Sequence, residues 1–150
     1  AGVRGIRAPD DEDVLSLIIP DADGVVLTAS ENGYGKRTPV DEFPVHGRGG
    51  QGVIAMQTTE RNGRLVAATQ VATTDELMLM SSNGTLVRTR AGEISVLGRN
   101  TQGVRLIRLD DGERLIGVEA VEPETGEGED ESAGAQPESD SGASEPPVPV

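Results

Sequence analysis

Gly35-Lys36, within the stretch SENGYGKRTPV at positions 30–40, is the first pair in this 150-residue chain with the makings of chemistry. A glycine-rich turn ending in lysine can cradle a nucleotide phosphate, but that loop needs a glycine five residues before Gly35 and a hydroxyl directly after the lysine. Ser30 and Arg37 stand there instead, so no ATP site is expected at this point. Tyr34, the single tyrosine, follows a tight turn with no surrounding acids and bases to mark it as a nucleophile. The stretch DADG at 21–24 opens like a calcium loop and then breaks at Val25, and the acids at 10–13 read as a solvated loop. With no cysteine and one histidine, thiolate and imidazole metal sites have almost nothing to draw on. No catalytic residue is expected in this chain, and its chemistry rests on arginines.

Arginine supplies twelve of the thirteen basic side chains, and its planar fork matches phosphate oxygens. The charge is unevenly spread. The formal net charge is −13, yet residues 33–108 hold ten bases against six acids, whereas residues 122–150 hold nine acids and no base amid Pro, Gly, Ser and Ala. Such a tail buries too little apolar surface to offset its ordering entropy and is expected to be disordered. The absence of cysteine suits a reducing, cytoplasmic setting, and no apolar run approaches the roughly 20 residues of a membrane-spanning helix.

The elements that must position the arginines emerge from a repeat. Offset by 51 positions, Asn32-Gly33 falls on Asn83-Gly84, Arg37 on Arg88, Gly47-Arg48 on Gly98-Arg99 and Gln51-Gly52-Val53 on Gln102-Gly103-Val104. Gly2-Val3 echoes Gly52-Val53, so the chain opens on the end of a further copy. Each unit carries an apolar run, Asn-Gly and a second run, the pattern of a two-residue type I′ hairpin. A second hairpin is expected over 53–71 and again over 104–121, with residues 14–19 and 77–80, apolar on both faces, as inner strands. No helical period of useful length appears. Four-stranded units repeating at about this length imply an all-β propeller, in which each blade buries its faces against its neighbours. The expected divisions are 1–20, the end of a preceding blade and a linking strand; 21–71 and 72–121, two blades; and 122–150, the acidic tail.

At GKRTPVDEF, TERNG, GTLVRTRAGEISVLGRNTQGV and the acidic end, the sequence resembles the C-terminal region of the DNA gyrase A subunit. The resemblance implies a six-bladed β-pinwheel whose neighbouring blades exchange strands and whose rim wraps duplex DNA. The two blades here would be the fifth and sixth. It also implies membership of an ATP-dependent type II topoisomerase that supercoils DNA. Such an enzyme uses ATP and Mg²⁺ outside this fragment and assembles from two A and two B subunits through regions absent here. The A subunit of topoisomerase IV is the nearest alternative, and a propeller scaffold for protein partners is the alternative of another class. VHGRGGQGV at 45–53 resembles the basic, glycine-rich heptad called the gyrase A box, with His46-Gly47 where two basic residues would stand and Gln51 in place of a common lysine.

The residues expected to meet DNA phosphates are Arg48, Gly49 and Gly50 in this loop, Arg99 in its repeat, and Lys36, Arg37, Arg88 and Arg90 on hairpin return strands. The competing expectation for those strand residues is solvated edge charge. Arg61, Arg64, Arg105, Arg108 and Arg114 have no spacing that singles them out and read as surface charge or as ion pairs within a blade. With Tyr34 and Phe43 as the only aromatics, stacking on single strands is disfavoured against duplex backbone contact. Bending a 20–30 bp site costs on the order of 1–6 kcal/mol, which several blades would share. The anionic tail has two readings: a solubilising end that needs no partner, or, beside such a rim, a competitor of phosphate that acts in a salt-sensitive way.

Overall fold

A computed structural model of the chain describes residues 1–123, so the expectation for the acidic tail falls, from residue 124 onward, outside the described residues. The elements run β1 Val25–Ser30, β2 Tyr34–Pro39, η1 Val40–Glu42, β3 Leu65–Val71, β4 Glu76–Ser81, β5 Leu86–Arg90, η2 Ala91–Glu93, β6 Val104–Arg105 and β7 Leu115–Val121. The architecture is all-β, and η1 and η2 are single 3-10 turns 51 residues apart.

Both Asn-Gly pairs turn hairpins, but not in the expected two-residue form. Gly33 N–H donates to Ser30 O at 3.0 Å and Gly84 N–H to Ser81 O at 3.1 Å, closing type I turns that leave glycine as a third loop residue. Gly33 and Gly84 have φ of 85° and 82°, whereas no other residue type among the described residues has positive φ. A type I′ turn would have put Asn32 and Asn83 in the left-handed region as well, which asparagine adopts less readily than glycine. The longer loop places that demand on glycine alone. The matching bulges fall between Ala29 and Ser30 and between Met80 and Ser81.

Two antiparallel sheets result, ordered β3-β1-β2-β6 and β5-β4-β7. Strand β6 belongs to the second repeat yet pairs with Tyr34 and Gly35 of the first. Just before it, residues 95–97 run alongside β2, with Arg37 N–H donating to Ser95 O and Leu97 N–H to Arg37 O. The second hairpin expected over 104–121 therefore does not form. Gly33 O accepts from both Leu106 and Ile107 N–H and holds the chain after β6 on the tip of the first hairpin, while β7 joins β4. Its counterpart over 53–71 is also absent, since residues 53–58 form no strand. Residues 14–19 are no inner strand either. Leu17 and Ile19 are 91% and 90% exposed, because the hairpin that would flank them does not occur among the described residues.

The core lies between the sheets, where Leu27, Ala29 and Val71 of the first meet Leu77, Leu79, Leu115 and Val118 of the second, closed by Ala91, Ile94 and Ile107. β4 alternates, with Leu77, Leu79 and Ser81 buried. Each fully buried leucine contributes about 1.5–3 kcal/mol. The core ties the two repeats together and fixes where their loops emerge.

Candidate nucleic-acid interface

The two glycine-rich loops, 47–52 and 98–103, are docked by the same backbone bond. Arg7 N–H donates to Gly50 O at 2.8 Å, and Gln57 N–H donates to Thr101 O at 2.9 Å, each residue standing at the same place in its repeat. Arg48 and Arg99 are thus presented from equivalent loops. Arg48 is exposed. Gly49 takes φ of 78°, a conformation that suits glycine, and its N–H donates to Gly5 O at 2.8 Å, so this amide is already engaged. Gly50 is exposed on the same turn. Arg99 is more constrained: its backbone N–H donates to Glu42 Oε2 at 2.8 Å, and one guanidinium nitrogen donates to Ile54 O at 2.6 Å.

Lys36 and Arg37 do not line a rim. Lys36 is fully buried, and its ammonium donates to Gly98 O at 2.7 Å, Arg99 O at 2.5 Å, Thr101 O at 3.0 Å and Thr101 Oγ1 at 3.0 Å. The second arginine loop is wrapped around this cation. Burial pushes the Lys36 amine down to about 8, opposed by Glu42 and aided by Arg99. Arg37 is also buried, with Nε donating to Ile94 O at 2.7 Å and a terminal nitrogen to Gly92 O at 3.3 Å. Both expectations for this pair, phosphate contact and solvated edge charge, are corrected by the same fact. Residues 92–101 of the next repeat cross the β2 edge and supply carbonyls to both cations.

The family comparison joins these observations. The model described as the DNA gyrase C-terminal domain, beta-propeller, matches residues 1–21, 24–72 and 75–122. The chain belongs to this family. The DNA gyrase A subunit of Pseudomonas aeruginosa is 54% identical over 93% of the chain, and that of Escherichia coli (strain K12) is 53% identical over 80%. The chain spans 16% and 14% of the lengths of those proteins. A solved DNA gyrase A C-terminal domain superposes with a TM-score of 0.61 at 32% identity, over 64% of this chain and 33% of that one. The C-terminal domain of DNA topoisomerase IV superposes with a TM-score of 0.74 at 22% identity, over 81% of this chain and 38% of that one, a likeness of fold alone.

In this gyrase-family chain, Arg88 is the repeat counterpart of Arg37 but stays partly exposed, bonded through Nε to Glu76. Arg90, also on β5, is exposed. The β5 edge has no counterpart of residues 95–105 laid across it among the described residues, which is why these two arginines remain at the surface. The structure also brings together residues that spacing had not singled out. Arg105 donates to the Tyr34 hydroxyl at 2.8 Å, and Arg61 lies with Cζ 4.5 Å from the centre of the Tyr34 ring. Their positions in the sequence, 34, 61 and 105, share no period, so nothing short of the fold relates them.

Proposed function

We propose that this chain is part of the DNA-binding and wrapping domain of a gyrase A subunit. In this reading Arg48 and Arg99 contact backbone phosphates of a duplex led along successive blades, with Arg88 and Arg90 as further contacts on the β5 edge. The observation that carries the reading is the equivalent docking of loops 47–52 and 98–103, which repeats an arginine at the same place on neighbouring blades. Phosphate contacts of this kind hold DNA without reading bases. Identity above 50% to gyrase A subunits supports gyrase over topoisomerase IV. The rest of the enzyme, outside this chain, would contribute ATP and Mg²⁺ chemistry, strand cleavage and assembly with the B subunit and a second A subunit.

The test is a topology assay on relaxed circular DNA with the complete holoenzyme. Arg48→Ala combined with Arg99→Ala is expected to lower negative supercoiling while leaving relaxation of supercoiled DNA without ATP in place. Supercoiling equal to that of the unaltered enzyme would refute the assignment of these two arginines.

A further inference from the structure

Tyr34, Arg61, Arg105 and Arg114 line a cleft of about 260 Å³ together with the turn Asp110–Glu113. Two guanidinium groups lie against one phenol ring: Arg61 Cζ is 4.5 Å and Arg105 Cζ 5.4 Å from the Tyr34 centroid. The ring is buried, and its hydroxyl is held below the usual tyrosine range, first by the hydrogen bond from Arg105 and then by Arg61. The salt bridges among the described residues join Arg88 to Glu76 and Arg114 to Glu31, so Arg61 and Arg105 belong to neither. Two like charges gathered at one ring, neither in a salt bridge, are weakly compensated by cation–π contact. Arg105 uses one nitrogen on the Tyr34 hydroxyl and Arg61 lies over the same ring, so N–H groups of both forks remain for an anion.

The acidic wall limits what that anion can be. Glu113 is engaged, Oε2 accepting from Ser81 Oγ at 2.9 Å and Oε1 from Asp110 N–H at 3.2 Å, whereas Asp110 and Asp111 leave their carboxylates exposed. Carboxylates this near the two guanidinium groups repel a second anion, so the cleft suits a single anionic group. The residues that carry the two arginines are also tied to the Arg99 loop. Residues 98–103 lead into β6, which carries Arg105, and the turn carrying Arg61 is bound to the same loop by Asn62 Nδ2 donating to Gln102 O at 3.2 Å and Thr59 Oγ1 donating to Gln102 Oε1 at 3.4 Å.

The geometry points to a single-phosphate grip formed by Arg61 and Arg105 on Tyr34, taking one phosphodiester of a duplex that also meets the Arg99 loop. This rests on the DNA-binding reading above and adds to it a site that no repeat predicts. The planar forks suit bidentate contact with phosphate oxygens, and the ring holds them in place beforehand.

The test uses the full-length gyrase A polypeptide and a linear duplex, with affinity followed by fluorescence anisotropy across salt concentrations. Because the grip neutralises one phosphate, Arg61→Gln combined with Arg105→Gln is expected to flatten the slope of log K against log salt by about 0.9. An unchanged slope and affinity in that variant, while Arg99→Gln weakens binding, would overturn this site and leave the broader reading standing. No salt-dependent duplex binding by the unaltered protein would overturn both. If the glutamine pair fails to fold, the pair Arg61→Lys and Arg105→Lys decides. Weaker binding with the slope retained supports the grip, and unchanged affinity refutes it.

Discussion

Lys36 is a cation used as internal structure. Four oxygens from the loop 98–103 surround its ammonium, so the position of Arg99 is tied to a lysine 63 residues earlier. Lys36→Met keeps most of the aliphatic stem but leaves those carbonyls without a donor, at a cost of about 1–3 kcal/mol, read as a lower urea midpoint. The pH dependence has a defined sign. With the folded amine at about 8 and the unfolded one at 10.5, the unfolded chain binds more protons between those values, so this group makes stability rise with pH across that window and adds no slope well below it. Tyr34 acts in the same direction, so the comparison with Lys36→Met, in which the lysine part of the rise should vanish, isolates the amine. Sequence could not reveal this role. The partners are main-chain carbonyls, which have no signature in residue identity, and a lysine after a hairpin turn reads as surface charge. The meeting of Tyr34, Arg61 and Arg105 was hidden for a similar reason, since it depends on which edge β6 chooses.

At the scale of elements, the two hairpin turns offer a controlled contrast. Gly33 and Gly84 share the left-handed conformation, but a Cβ at Gly33 would stand 2.6 Å from Ile107 O, whereas one at Gly84 would meet nothing within 4 Å. Gly84→Ala should therefore cost about 1–2 kcal/mol from backbone strain alone, and Gly33→Ala measurably more, compared by thermal unfolding of the complete C-terminal region. Much at this scale was legible. The 51-residue spacing located both Asn-Gly hairpins and the equivalence of Arg48 with Arg99, because turn glycines and apolar alternation leave marks in sequence; the two 3-10 turns, one turn each, left none. Strand partnership was less so. VRLIRL announces a strand that could pair with β7, as a hairpin would, whereas only Val104 and Arg105 form one, and it pairs with β2. Residues 14–19 illustrate the same limit, since their apolar character specifies burial without specifying a neighbour.

Over the whole molecule, charge is segregated: residues 33–108 are net basic, and residues 122–150 carry nine acids without a base. Deleting 122–150 from the full-length gyrase A polypeptide is expected to tighten duplex binding at low salt. The difference should shrink as the screening length falls toward about 8 Å near physiological ionic strength, with anisotropy titrations at several salt concentrations as the measurement. Equal affinities at every concentration would remove the tail from any competition with phosphate.

The insertion of β6 beside Tyr34 and Gly35 makes the borders of the repeats differ from the borders of the sheets. A scission just after residue 72, neat in sequence, would strip the earlier sheet of its outermost rung and of the carbonyls that accept from Lys36 and Arg37. Damage in the later repeat would accordingly be felt first as loosening in the earlier one, and a propeller of this kind would shed blades as interlocked links of a chain rather than as separable beads.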